Sequence, residues 1–535
     1  VLVRDLEITN VTWPDAKETD RDRFTQIVEA AVPETGFEIS HERLAASLGA
    51  AQDEKKSLES IKNDPPKIVF EDHLAVLLLF DGDPKFQDIE NSPYERAVNT
   101  PFAVIHDKKG KYYLSSGVLW YVADDPLGPW DVTDSPPGDL VENMPKPDEA
   151  QQAPVGKDGN PPIIVVATEP TELISTDGKA EWKPLPDGNL IYAVNTETPW
   201  IRDVAGSQMY VLLSGRWFAS ESQDGPWKFV RADKLPESFK EIPPDSDIGG
   251  IRSSVAGTGE AEQAMMDSQI PETAAINRKE ATLEVTYDGD PKFEQIECTS
   301  VAYAVNTASQ VLKIGDKFYA VDDGVWFVAD GPQGPWAVAD TIPKDEIDKI
   351  PPSSPVYNTT YVDIYASTPD VVYVGYTPGY LWSFPYWGVP VYGTGWYYPP
   401  YWGGYYYPRT PTWGLHVGYN PWTGWNFGVS WTAGFFSFGV SFGGGYGGWG
   451  CCGGWYGGGY HRGPTFINTG DINIGNNINV GNRTEIANRI GNNENFQNIR
   501  NERGHNVYNR GDNINRNVDR ETCLLYTSPS PRDIS

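Results

Sequence analysis

Two kinds of residue in this chain stand at spacings that could do chemistry. The first is a carboxylate pair, Asp81 with Asp83 in Asp81-Gly82-Asp83-Pro84-Lys85-Phe86, repeated as Asp288 with Asp290 in Asp288-Gly289-Asp290-Pro291-Lys292-Phe293. Two carboxyls in one loop could share the acid and nucleophile roles of a glycosidase, or ligate calcium. The same residues are also what a tight turn demands: Asp bonds its own backbone, Gly takes positive φ and Pro fixes its own. A third copy keeps Asp177-Gly178 but has Lys179 where the second Asp stands, and no longer acidic loop pattern follows, so turn chemistry is the reading that fits all three.

The second kind is aromatic. Trp120-Tyr121 is answered by Gly128-Pro129-Trp130, Trp217-Phe218 by Gly225-Pro226-Trp227, and Trp326-Phe327 by Gly334-Pro335-Trp336, with ten residues from Trp to Trp each time. Flat rings stack on the apolar faces of sugars while nearby Asp, Asn and Gln bond the hydroxyls. The same rings could instead be the cores of three small β-units. All nine, Trp120, Tyr121, Trp130, Trp217, Phe218, Trp227, Trp326, Phe327 and Trp336, are the candidate ligand-binding residues. The spacing does not sort them into inside and outside.

Other chemistries lack their residues. The six histidines, at 41, 73, 106, 416, 461 and 505, show no ligand spacing. Cys298 is solitary and Cys451-Cys452 are adjacent, so neither a disulfide framework nor a C-x-x-C site is expected. No nucleophile elbow, P-loop or dinucleotide fingerprint appears. The expectation is a chain without cofactor, metal site or catalytic residues and therefore not an enzyme; a hydrolase lacking any recognisable motif is the third alternative.

The elements that must position the rings are strands and turns. Alternation puts Trp326 and Val328 on one face and Phe327 and Ala329 on the other, both apolar, so the strand should be covered on both sides. Asp330-Gly331-Pro332-Gln333 supplies a turn, and Gly334, preceding Pro335, is expected to be extended. Upstream, sixteen residues separate Asp81 from Ala97-Val98-Asn99-Thr100, Asp177 from Ala193-Val194-Asn195-Thr196, and Asp288 from Ala304-Val305-Asn306-Thr307. Trp182 stands in the degenerate middle copy, and Pro65-Pro66 and Pro161-Pro162 sit sixteen before Asp81 and Asp177. A fixed internal register of this kind marks a repeat protein.

The predicted fold is mainly β: three repeated small β-units with short connecting helices, then an aromatic Gly-rich β-hairpin region and a low-complexity tail. The expected divisions are a partial N-terminal region with helices (1–64), units at 65–130, 161–245 and 270–352, an acidic Pro-rich linker (131–160), an aromatic Gly-rich region (353–464) and an Asn-rich tail (465–522). Helical composition marks 21–32 and 40–62, with short helices at Pro236 to Phe239 and Glu260 to Met266. Thr359 to Ser367 and Val371 to Thr377 read as a hairpin. Residues 371–460 hold 31 aromatics, 24 glycines and one charged side chain, Arg409, with strands expected at Trp413 to Tyr419, Trp425 to Trp431 and Phe435 to Phe442. Such a surface should pack on itself, on another copy or on an envelope component; as a membrane β-barrel it has too few strands to close.

Several domains fit within 535 residues, and a net charge of −31 argues against nucleic acid and anionic membranes as partners. No apolar run is long enough to cross a bilayer as a helix. The chain opens on Val1 inside what reads as a strand, so a truncated N-terminus with its signal peptide out of view is expected. Residues 523–535, beginning Cys523-Leu524-Leu525-Tyr526-Thr527-Ser528, read as an adaptor-derived artefact.

The Trp-Phe…Gly-Pro-Trp hairpins, the Asp-Gly turns, the Ala-Val-Asn-Thr segments, Ile350-Pro351-Pro352-Ser353-Ser354-Pro355-Val356-Tyr357 and Tyr373-Val374-Gly375-Tyr376-Thr377-Pro378-Gly379-Tyr380 together resemble a family of bacterial exported or envelope proteins often labelled "carbohydrate-binding family V/XII" proteins. The resemblance spans about residues 1–465. It implies an extracytoplasmic bacterial protein, secreted, periplasmic or on the cell surface. The functional expectation is a non-catalytic surface or envelope binding protein whose partner is a polysaccharide or cell-surface glycan. Its alternative is a structural protein that self-associates through 371–460, with the Trp hairpins buried.

Overall fold

The computed structural model describes residues 53–403, apart from 59, 90–91, 101, 116–118, 144–154, 187, 197, 245, 270 and 280. It also describes 2–3, 37–38, 406–407, 409, 412–413, 415–420, 424–429 and 467–468. The fold is mainly β. Three six-stranded antiparallel meanders dominate it, running from Phe86–Asp88 to Asp131–Val132, from Trp182–Pro184 to Lys228–Val230, and from Phe293–Gln295 to Ala337–Val338. Each begins just after an Asp-Gly turn and ends just after a Gly-Pro-Trp.

The Asp-Gly turns are built alike. Gly82, Gly178 and Gly289 have φ of 78, 84 and 77°, where a side chain would be strained. An Asn then pins each turn from sixteen residues downstream. Asn99 Nδ2 donates to the carbonyls of Asp81 and Asp83 while its Oδ1 accepts from Lys85 N–H. Asn195 and Asn306 repeat the three bonds at Asp177, Lys179 and Glu181 and at Asp288, Asp290 and Lys292. The Ala-Val-Asn-Thr signature is therefore a turn lock.

The first two meanders are covered by strands they exchange. Lys67–Glu71 pairs in parallel with Thr171–Ser175, and Ala75–Leu79 in parallel with Ile163–Ala167. Each strand pair that follows a Pro-Pro thus takes its partners from the other copy. Val76, Leu78 and Phe80 close the core of the first meander over Val104, Leu114 and Tyr121, and Tyr121 Oη donates to the Pro162 carbonyl at 2.7 Å. The third meander is covered differently, by Glu272–Asn277 paired with the hairpin Val362–Ser367/Val371–Tyr376.

The other faces of the second and third meanders meet in one large core. Leu190, Tyr192, Ile201 and Trp217 from one, and Val301, Leu312, Val321 and Trp326 from the other, pack with Phe239, Ile242, Ile347, Ile350 and the aromatic run Trp382, Phe384, Tyr386, Tyr392 and Tyr398. Part of the aromatic Gly-rich region is therefore interior to the fold. Arg216, fully buried, fastens it: its guanidinium donates to the Tyr392 and Gly393 carbonyls and to Asn63 Oδ1. Burial draws this guanidinium down to about 10. Gly395 has φ of 73°, and a Cβ there would stand 2.1 Å from the Lys62 carbonyl.

Helices are few and short. Glu237–Phe239, Gly249–Ser254 and Tyr357–Tyr361 are short 3-10 helices, and Gly259–Asp267 is an α-helix capped by Thr258. The stretch expected as a linker carries the last strand of the first meander, Asp131–Val132, and the helix Gly138–Asn143. Of the predicted helix over 40–62, residues 53–58 and 60 are described and helical, while 21–32 lies outside the described residues. Leu415–Asn420 and Gly424–Val429 form an antiparallel pair where two of the three late strands were expected. The third, at Phe435 to Phe442, and the Asn-rich tail save Ile467–Asn468 lie outside the described residues. Among the described residues no helix is long and apolar enough to cross a membrane.

Candidate functional site

The Trp hairpins come first, since they hold the candidate rings. As the alternation requires, the two aromatics of each pair face opposite sides. Trp217 and Trp326, 1% and 0% exposed, enter the shared core, where their indole N–H groups donate to the Ser254 and Val362 carbonyls at 2.6 and 2.9 Å. Tyr121, Phe218 and Phe327 are buried on the opposite faces, and burial pushes the Tyr121 phenol well above its ordinary range. Trp130 is buried as well; Trp120, Trp227 and Trp336 are half-buried. The nine rings thus sit in several separate cores and do not converge on one surface.

Gly334 departs from the extended conformation the sequence suggests. Its φ is 95°, as Gly128 and Gly225 have 90 and 82°, and each Gly–Pro peptide is cis. The tendency of a residue before proline to extend applies to side chains with a Cβ, which this Gly lacks. A Cβ at Gly334 would lie 2.8 Å from Trp336 Cδ1, so the closing Trp folds back over its own glycine.

A surface suited to a ligand lies elsewhere, on the second meander. A half-open cleft of about 630 Å³ runs between its outer face and the end of the Lys67–Glu71 strand. Its volume falls within the range of about 300–1,000 Å³ usual for ligand sites. Phe70, Trp182, Trp200 and Met209 line it together with Lys179, Arg202, Glu221, Gln223 and Asp224. Strand register explains the convergence: Arg202 stands opposite Met209, and Trp182 opposite Ala193, so Trp182, Trp200, Arg202 and Met209 share one face. Trp182 and Trp200 meet edge to face with centroids 4.7 Å apart, and the Arg202 guanidinium lies 5.6 Å from the Trp182 ring. Phe70 extends the platform by stacking on Trp227 at 5.8 Å and 23°. Trp227, whose indole N–H donates to the Gln223 carbonyl, is the candidate ring nearest this site.

Trp200 is buried beneath this face. It is 3% exposed, and its indole N–H has no acceptor among the described residues.

Comparison of the three meanders shows what sets this face of the second one apart. At the positions of Trp182, Arg202 and Met209 the first meander has Phe86, His106 and Tyr112, and the third has Phe293, Lys313 and Phe318. Tyr112 fills the first groove by contact with Phe86 at 5.4 Å and His106 at 4.4 Å, and Phe318 fills the third against Phe293 at 5.5 Å. Slender Met209 leaves the second open. The chain's own aromatic segment also occupies the neighbouring turns: Tyr397 Oη donates to Asp81 at 3.0 Å, Lys85 lies over Trp402, and Lys292 donates to Tyr401 Oη. The middle turn is held instead by Lys157, through Asp177 and Glu181.

Sequence reasoning missed Trp200, Arg202 and Met209. The available signal was degeneracy: the copy that breaks Asp-Gly-Asp-Pro-Lys-Phe, with Lys179, Ala180 and Trp182, is the copy that carries the cleft. The carboxylate pairs Asp81/Asp83 and Asp288/Asp290 are turn residues whose carbonyls the Asn locks hold. Among the described residues no group of three or more His, Cys, Asp or Glu is placed to hold a metal ion. Compared with family models, curated proteins and solved structures, the chain matches none.

Proposed function

We propose that this chain is a non-catalytic glycan-binding protein of the bacterial surface or envelope, with its ligand seated in the cleft of the second meander. The observation that carries the reading is half-buried Trp182, backed edge to face by buried Trp200, flanked by Phe70 and rimmed by ionic and amide side chains. Aromatic planes take the apolar faces of sugar rings, and half-buried Trp182 presents such a face at the cleft. The resemblance to exported bacterial proteins supports the location.

Retention on insoluble polysaccharides tests it. Trp182 is half-buried, so Trp182→Ala should leave thermal unfolding near that of the parent while weakening retention by about tenfold, the size of one lost stacking contact. Trp182→Phe should keep most of it. Equal retention of parent and Trp182→Ala, or no retention of the parent, would overturn the reading.

The structural alternative is favoured by one observation, the enclosure of Trp217 and Trp326 in the shared core. It expects reversible, concentration-dependent association in sedimentation velocity that survives Trp182→Ala.

A further inference from the structure

Resting on the glycan reading of this cleft, we propose that its ligand is a glycan bearing free, protonated amines. Glu71, Glu221 and Asp224 line the cleft, and among the described residues their carboxylates have no hydrogen bond or ion pair. Asp72 is a fourth, paired among the described residues with the imidazole of His73 at 2.8 Å. Two cations oppose these four carboxylates, Lys179 and Arg202, and the Arg202 guanidinium lies beside the Trp182 ring.

The balance is acidic within a chain of net charge −31, a field that repels uronates and phosphorylated glycans. A neutral sugar would shield these carboxylates from water and give them no counter-charge, at a desolvation cost. Ammonium groups on the ligand would supply it. The carboxylates are not gathered into a metal-binding group, so they suit charges spaced along a polymer better than one bound ion. The same ammonium groups would also be drawn to the face of Trp182.

The test is calorimetric titration with three soluble oligomers of matched length: β-linked glucosamine with free amines, its fully N-acetylated form, and a uronate. Glu221 and Asp224 are exposed, so the double variant Glu221→Gln/Asp224→Asn should fold as the parent does. At low salt the free-amine oligomer should bind the parent about tenfold more tightly than the acetylated one, and the double variant should lose about fivefold of that advantage. Added salt should shrink the advantage further. Equal binding of the two forms, preference for the uronate, or an advantage untouched by the double variant would overturn the amine inference while leaving a glycan site in place. Failure of all three oligomers and of insoluble polysaccharides to bind the parent would overturn the site itself.

Discussion

Asn99, Asn195 and Asn306 each make three bonds to a turn sixteen residues upstream, and Asn99 and Asn306 do so fully buried. Asn306→Ala would strip two carbonyls and one N–H of their partners and should cost roughly 2–4 kcal/mol, read as a lowered urea midpoint. Asn195, half-buried, should cost less, since water can take up part of the loss. The position of these residues was legible as a fixed interval, but their role was not, because a side chain bonding a distant turn leaves no periodicity. The Trp residues teach the same lesson. Alternation assigned opposite faces to Trp326 and Phe327, yet what closes the Trp face is Ser254 for Trp217 and Val362 for Trp326, supplied from 37 and 36 residues away. Trp217→Phe should therefore destabilise by roughly 1–3 kcal/mol through the unbonded Ser254 carbonyl, and Trp217→Ala by about 3–5 kcal/mol.

Between elements, the exchange of strands makes the first two copies interdependent. Ile174, fully buried on Thr171–Ser175, packs in the core of the second meander, and its strand is paired to Lys67–Glu71, a strand of the first copy whose Ile68 and Phe70 pack on the same core. Ile174→Ala should cost about 2–5 kcal/mol. In hydrogen-exchange mass spectrometry it should speed exchange in 67–71 as much as in 171–175; acceleration confined to 171–175 would contradict the shared ladder. A second element-level tie is Arg252, which bonds the Lys240 and Ile242 carbonyls and the Glu260 carboxylate. Burial pushes the Glu260 carboxyl up, but the bonds and charge of Arg252 outweigh it and leave the group below its ordinary 4.5. Its folded value being depressed, the stability it adds is complete above the unfolded value and is lost as pH falls through the folded one. The denaturation midpoints of the parent and Glu260→Gln should differ at neutral pH and converge on acidification below that value. None of these partnerships was legible beforehand. The Pro-led strands were, but pairing across about a hundred residues leaves no mark on local pattern.

For the whole molecule, the aromatic segment after residue 371 completes the core that the second and third meanders share. Its composition predicted that it must pack on something, and residues 382–398 pack on the chain's own second and third meanders. A chain ending at 370 would lose Trp382, Phe384, Tyr386, Tyr392 and Tyr398 and should fail to show a cooperative thermal transition, whereas one ending at 435 should retain it. The candidate cleft belongs to this scale as well, for it lies on the repeat that departs from its siblings. The exchanged ladder also has a mechanical consequence. The chain enters it at Lys67 and leaves at Ser175, at opposite ends of two parallel strands. Tension between the chain before Lys67 and the chain after Ser175 therefore loads the five residue pairs in shear, so that they must give way together instead of unzipping one by one. A protein pulled between an anchor and a bound polymer would resist through this ladder, close beside the cleft that Glu71 and Phe70 help to line.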